Sequence, residues 1–194
     1  MTPSPLVKPS DRRLFLAAAA GALLASPPAR AQPSPQPSPQ PSPQPSPQPW
    51  PAGRATPALV LPSWQGPAVS LQALHGRPVL INFWASWCAP CRTEMPSLEL
   101  LATRFEADGL EVLAVNYRET DGAVRRYVEQ TGITLPVLRD RDGAAAQAFG
   151  VRIFPTTVAV GRHGRALFTV VGELDWGGDG ARALVEPVLS SSRR

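Results

Sequence analysis

From Gln32 to Pro51 every second residue is proline: Gln-Pro-Ser-Pro runs four times and closes on Gln48-Pro49-Trp50-Pro51. A proline ring fixes φ and removes the amide donor, so this stretch is expected to form neither helix nor sheet. Extended at about 3.1 Å per residue, it makes a spacer on the order of 60 Å. A Pro-rich ligand for a binding module is the other use of such a run. The repeat divides the chain into residues 1–31, a Pro-rich linker over 32–57 and a domain over 58–194. Most of the 24 prolines lie before residue 63, which sets the first third apart in composition. The remaining stretch of about 130 residues is enough for one core of ordinary size.

Residues 1–31 read as an export signal. Arg12-Arg13-Leu14-Phe15-Leu16 resembles the twin-arginine pattern, although Asp11 stands where Ser or Thr usually precedes the arginines. The apolar run Leu14 to Ala25 follows, and then Ala29-Arg30-Ala31, a small-x-small cleavage site. A helix over that run rises only about 18 Å, short of the roughly 30 Å of hydrocarbon a spanning helix crosses. Cleavage is therefore expected over a permanent anchor, with the membrane touched only through this segment if it is retained. No cysteine stands at the cleavage site, which argues against a lipoprotein. The net charge of +4 also belongs mostly to this end: from residue 32 on, 15 arginines face 14 acids. Nucleic-acid binding needs a basic patch that such a balance does not supply.

Past residue 58 the pattern alternates short apolar runs with helical ones. Leu59-Val60-Leu61 and Ala68 to Leu71 read as short strands around a Gly-Pro turn. Pro78 to Trp84 is an almost continuous apolar run, as a strand covered on both faces would be. Met95, Leu98, Leu101 and Phe105 recur at helical steps from Cys88 to about Ala107. Strands follow at Leu110–Asn116 and Pro136–Leu138, and helices at Thr120–Gln130, ended by Gly132, and Ala144–Phe149. Thr156–Val160 and Ala166–Val171 flank Gly161-Arg162-His163-Gly164 as a hairpin, and a last helix is expected over Asp179–Leu189. This order predicts an α/β fold, a mixed central sheet flanked by helices with an N-terminal strand extension.

Only two cysteines occur, as Cys88-Ala89-Pro90-Cys91. They cannot supply a disulfide framework. A four-ligand zinc site would need His75 or His163, which sit in turn contexts as solvated loop residues, so no metal is assigned. Placed where a buried strand meets a helix, Cys88 faces unpaired first-turn amides and the positive end of the helix dipole. Both favour the thiolate, the attacking species. Cys91 lies one turn on, close enough to resolve a mixed disulfide. Pro90 is tolerated because first-turn amides have no intrahelical partner. Cys88 is thus the expected nucleophile and Cys91 the resolving thiol. A bare Cys-x-x-Cys also occurs in zinc knuckles; its position here carries the redox reading.

Asn82 to Pro96, which contains Trp84-Ala85-Ser86-Trp87-Cys88-Ala89-Pro90-Cys91, resembles the active-site stretch of the TlpA/ResA-like extracytoplasmic thioredoxins. Phe154-Pro155-Thr156-Thr157 is similar to their cis-proline loop, and Gly172-Glu173-Leu174-Asp175-Trp176 to a segment near their end. The likeness covers roughly residues 58–189. It implies a thioredoxin fold, a Cys88–Cys91 disulfide and a cis Pro155 facing the cysteines, with Phe154 and Pro155 pairing with a client's backbone. Trp87 and Pro90 join them as the expected client-binding surface, while Trp84 is expected in the core and Pro96 to kink the long helix. Thioredoxin carries a buried Asp where this chain has Asn82, which cannot exchange a proton with Cys91. Ala114 to Glu119 resembles the ResA stretch whose Glu lies near the cysteines, so Glu119 is a candidate modulator of the thiol pKa values. Its other reading is a first-turn acid of the next helix.

The resemblance implies a periplasmic or otherwise extracytoplasmic thiol–disulfide oxidoreductase. It would reduce client protein disulfides in cytochrome c biogenesis or metal-site assembly, and so serve cell redox homeostasis. No nucleotide motif is present and no cofactor is expected, so electrons would come from a membrane thiol carrier. Thr156 stands where the cytochrome-maturation branch called CcmG usually has Glu, which weakens assignment to that branch. A disulfide-forming oxidase is the first alternative, and Ala89-Pro90 does not decide between the two directions. A copper chaperone using both thiolates is the second, with Met95 its one nearby extra ligand.

Overall fold

The computed structural model describes residues 45–191. The export segment expected at 1–31 and the repeat up to Gln44 lie outside the described residues. The elements are β1 (Gln48–Pro49), β2 (Val60–Leu61), β3 (Val69–Ser70), a 3-10 turn (Leu71–Leu74), β4 (Val79–Trp84), α1 (Ala89–Arg104), β5 (Glu111–Tyr117), α2 (Asp121–Thr131), β6 (Val137–Asp140), α3 (Ala144–Phe149), β7 (Thr156–Val160), β8 (Ala166–Val171) and α4 (Asp179–Ser190).

Six strands form one sheet in the order β1-β8-β7-β4-β5-β6, and β2 pairs with β3 as a separate antiparallel hairpin. At the centre, β4 runs parallel to β5 and antiparallel to β7. All six residues of β4 are buried, as its unbroken apolar run requires. Side chains alternate across a strand. Leu80 and Trp84 therefore join Leu98, Leu101, Tyr127 and Val185 on one face. Val79, Ile81 and Phe83 join Val115, Leu138 and Phe149 on the other. The architecture is the mixed α/β sheet with flanking helices that the apolar pattern predicts. Gly132 closes α2 at φ 65, a left-handed position that suits glycine. Leu71, read as the end of a strand, instead opens the 3-10 turn, although its amide still donates across the hairpin to Leu59 O.

Segments N-terminal to β4 lie along both β6 and β8. Along β6, Trp64 N–H donates to Val137 O at 2.7 Å and Arg139 N–H to Pro62 O at 2.9 Å. The other edge carries a correction to the reading of the repeat. Gln48 and Pro49 pair antiparallel with Thr169 and Phe168 of β8, and Trp50 N–H donates to Leu167 O at 2.9 Å. Packed structure thus begins ten residues before Ala58, and proline at alternate positions does not forbid a strand here. Only alternate residues turn their amides toward a given neighbour, so Trp50 reaches β8 while the prolines leave no bond missing on that side.

Trp50, where the repeat would have serine, holds this segment in register. Its ring meets Phe149 edge-on at 6.2 Å, and its Nε1–H donates to Arg54 O at 3.0 Å. The Arg54 guanidinium lies 4.6 Å from the indole centre and donates to Ala148 O at 2.6 Å. Thr56 Oγ1 then accepts the Ala166 amide at 2.7 Å. Losing the half-buried indole costs about 1–2 kcal/mol of apolar burial. Trp50→Ala is therefore expected to speed amide exchange at residue 50 and at Ala166 while β4 and β5 stay protected. Unchanged exchange at residue 50 would show that the indole does not hold the strand.

Candidate active site

Strand β4 ends at Trp84, and the chain crosses Ala85-Ser86-Trp87 before entering α1. Cys88 is the residue before the first helical one, with extended φ −83 and ψ 106. Its Sγ takes the place of a capping oxygen and accepts the Cys91 amide at 3.2 Å. The two cysteines are joined by a disulfide with Cα atoms 5.3 Å apart. Pro90 sits in the first turn, where its missing N–H removes no helical bond. Cys88 keeps 5% of its surface and Cys91 none, so an incoming sulfur can reach only Cys88.

Next to Cys88 the loop presents an exposed aromatic ring. Trp87 is 65% exposed, whereas Trp84 is fully buried against Tyr127. The Phe154–Pro155 peptide bond is cis. Phe154 meets Trp87 edge-on at 6.0 Å and Tyr117 at 4.8 Å. Gly172 N–H donates to Pro155 O at 2.8 Å, and Thr156 Oγ1 to Ile153 O at 2.7 Å, which fasten the loop at both ends. Trp87, Cys88, Pro90, Cys91, Phe154 and Pro155 thus lie on the loop, helix start and cis-proline turn that frame one site. His75 and His163 are exposed with ring centres 6.4 Å apart. Among the described residues no group of three or more His, Cys, Asp or Glu is placed to hold a metal ion.

Glu119 is tied to the loop that carries Cys88. Its carboxylate accepts Ser86 N–H at 2.7 Å, Ser86 Oγ at 2.5 Å and Asn116 Nδ2 at 2.6 Å. The β5–α2 turn that presents it is held by the buried Arg139, which donates to Glu119 O at 2.7 Å and to Asp121 Oδ1 at 2.6 Å. Arg118, between Tyr117 and Glu119, has φ 51, a left-handed conformation uncommon outside glycine.

The buried carboxyl of the site is Glu94, a residue the sequence reading passed over. It lies on α1 one turn beyond Cys91 and on the same face. Asn82 Nδ2 donates to its Oε1 at 2.6 Å; Leu174 N–H and Trp176 Nε1–H donate to its Oε2 at 3.1 and 3.3 Å. Asn82 also reaches Thr157 Oγ1 at 3.0 Å, so the network joins β4, β7, α1 and the segment after β8. Burial pushes the Glu94 carboxyl from 4.5 up to about 7. The Leu174, Asn82 and Trp176 donors oppose that rise and the Glu173 charge adds to it. One signal was legible: an acid within the buried stripe Cys91, Met95, Leu98, Leu101.

A mixed sheet, a cysteine pair opening the helix after its central strand and a cis-proline loop beside it define a thioredoxin-fold thiol–disulfide oxidoreductase. The profile of the AhpC/TSA family matches residues 52–169, and the chain belongs to that family. It is 35% identical over 113 residues to thiol-disulfide oxidoreductase ResA of Halalkalibacterium halodurans, which covers 58% of this chain and 64% of that protein, just under two thirds. Against ResA of Bacillus thuringiensis the identity is 33% over 121 residues, 62% of this chain and 70% of that one. A solved structure described as a thiol:disulfide interchange protein DsbE from Chlorobium tepidum superposes with a TM-score of 0.66 at 29% identity, covering 71% of this chain and 97% of that one. The activity is thus thiol–disulfide exchange of the ResA/DsbE type.

Glu94 links this site to stability. Between about pH 4.5 and 7 the unfolded chain has released this proton while the folded chain still holds it, so stability falls as pH rises through that window. The shift corresponds to about 3 kcal/mol. Urea unfolding of the wild type and Glu94→Gln from pH 4.5 to 7.5 is expected to show the difference between them moving toward the variant by that order. Parallel pH curves would mean that folding leaves this carboxyl's affinity for its proton unchanged.

Proposed function

We propose that residues 1–31 export the chain and that it works outside the cytoplasm as a reductant of client protein disulfides. In the reduced protein the Cys88 thiolate attacks one sulfur of a client disulfide, forming a mixed disulfide and releasing the client's other sulfur as a thiol. Cys91 then attacks Cys88, the second client thiol leaves, and the Cys88–Cys91 disulfide remains. Two electrons have passed to the client. Two electrons and two protons from a membrane thiol carrier restore the dithiol. The client class is a haem-attachment cysteine pair of a c-type cytochrome or a thiol pair of a metal-site assembly protein.

One observation carries the roles of the two sulfurs: Cys88 Sγ caps the N-terminus of α1 and accepts the Cys91 amide, and Cys88 is the one of the pair that keeps any exposed surface. Helix dipole and amide donor both lower the cost of the thiolate there. Trp87, Phe154 and Pro155 supply the apolar rim on which a client rests beside the attacked bond.

Cys91→Ser, reduced and incubated with an extract of the extracytoplasmic compartment, is expected to accumulate mixed disulfides through Cys88, and Cys88→Ser is expected to accumulate none. Absence of any captured partner together with tight Cu(I) binding by the wild type would overturn the reductant reading in favour of metal delivery.

Glu119 we assign to holding the Ser86 loop and, through its charge, to tuning Cys88. An anion near a thiol disfavours the thiolate, so Glu119→Gln is expected to move the midpoint of Cys88 alkylation to lower pH. An unchanged alkylation profile would leave Glu119 as a fastener of the loop alone.

A further inference from the structure

Beyond the cis-proline loop, the turn from Gly150 to Ile153 runs between two open clefts. One, of about 480 Å3, is walled by Tyr117, Arg118, Asp142 and Arg152. The other, of about 230 Å3, is walled by Trp50, Arg54, Phe149, Arg152 and Ile153. Three arginines therefore surround the turn against one carboxylate. Asp142 is itself engaged, its Oδ1 accepting the Ala144 amide at 3.0 Å. Among the described residues none of the three arginines forms an ion pair with a carboxylate.

Arg118 is exposed, and its backbone and aliphatic stem are held in place. Its amide donates to Asp140 O at 2.9 Å, and its backbone holds the left-handed φ of 51. Its aliphatic stem lies over Gly143: a Cβ there would fall 2.9 and 3.2 Å from the Arg118 Cδ and Cγ. A non-glycine residue held in that conformation at the mouth of a cleft marks a position whose direction matters. Phe154, packed between Tyr117 and Trp87, makes the apolar rim of Cys88 continuous with this basic cleft, and Ile153 is 60% exposed along the same path.

We propose that these clefts receive the part of the client polypeptide that flanks its disulfide, and that Arg118 and Arg152 select segments carrying acidic side chains there. The inference rests on the exchange reading above and adds the class of segment accepted. A polypeptide fits better than a lipid surface because the cations line concave clefts beside apolar rings. Charges arranged this way raise the rate of encounter with an oppositely charged partner and lose their effect as salt rises.

The test separates docking from exchange by using peptides without cysteine. A fluorescent peptide whose central serine is flanked by glutamates, and its counterpart flanked by lysines, are titrated with the full chain at low and high salt. The acidic peptide is expected to bind roughly fivefold or more tightly at low salt. That ratio is expected to fall toward one at high salt and in the double variant Arg118→Asn, Arg152→Gln, where asparagine tolerates the left-handed backbone. Circular dichroism checks that the variant is folded. Equal binding of both peptides, or a preference the double variant keeps, overturns the proposal. So does binding of anionic phospholipid vesicles that the double variant loses while the wild type shows no peptide preference. Reduction of a client disulfide by the wild type is scored separately, so failure of exchange and failure of selection give different results.

Discussion

The site depends on a sulfur atom held at the first turn of α1. That placement requires the preceding strand to be immovable, and β4 is: it is hydrogen-bonded to a neighbour on each side and buried on both faces. A helix leaving the end of such a strand has its axis set by the sheet, so the unpaired amides of its first turn converge on a fixed point. Cys88 occupies that point. Were β4 an edge strand, the same Cys-Ala-Pro-Cys would begin a helix free to shift, and the sulfur's electrostatic surroundings would shift with it.

Beneath the pair lies an arrangement that works against itself. Asn82 occupies the face of β4 that looks onto α1, and in place of a proton donor it offers an amide to Glu94. Desolvation favours a neutral Glu94, while three donors favour its anion, and desolvation wins, pushing the carboxyl up to about 7. That carboxyl lies on α1 one turn beyond Cys91. The same carboxyl ties the segment after β8 to the helix through Leu174 and Trp176.

The loop before Cys88 is held from the opposite side. Arg139, buried on β6, grips the turn after β5, and that turn delivers Glu119 to Ser86. A buried guanidinium is costly unless paired and hydrogen-bonded, and here it bonds both a carboxylate and a backbone carbonyl while lying 5.6 Å from the Trp64 ring centre. The Trp64 segment covers the β6 edge, as the end of the proline repeat covers β8. With these segments alongside them, neither β6 nor β8 is left open to strand addition by other chains.

The succession of strands and helices, and the position of Cys88 at a strand–helix junction, were readable from residue order. Apolar runs and their period report burial directly, and Gly132 and Gly150 end helices where glycine at positive φ is wanted. The cis bond at Pro155 was expected only on the family resemblance; nothing local to Phe154-Pro155 requires it. The docking of Gln48 to Trp50 was hidden because propensity treats each proline alone, whereas pairing depends on which side of the strand each amide faces. Glu94 was hidden because an acid in a helix is ordinarily a surface residue, and its burial follows from Asn82, Leu174 and Trp176 arriving from three other elements. Local order thus determined the elements and the placement of Cys88 at a helix start. Which charges are buried, which arginines gather around a cleft and how far the folded chain extends were decided by tertiary structure, because desolvation and hydrogen-bond geometry depend on neighbours distant along the chain.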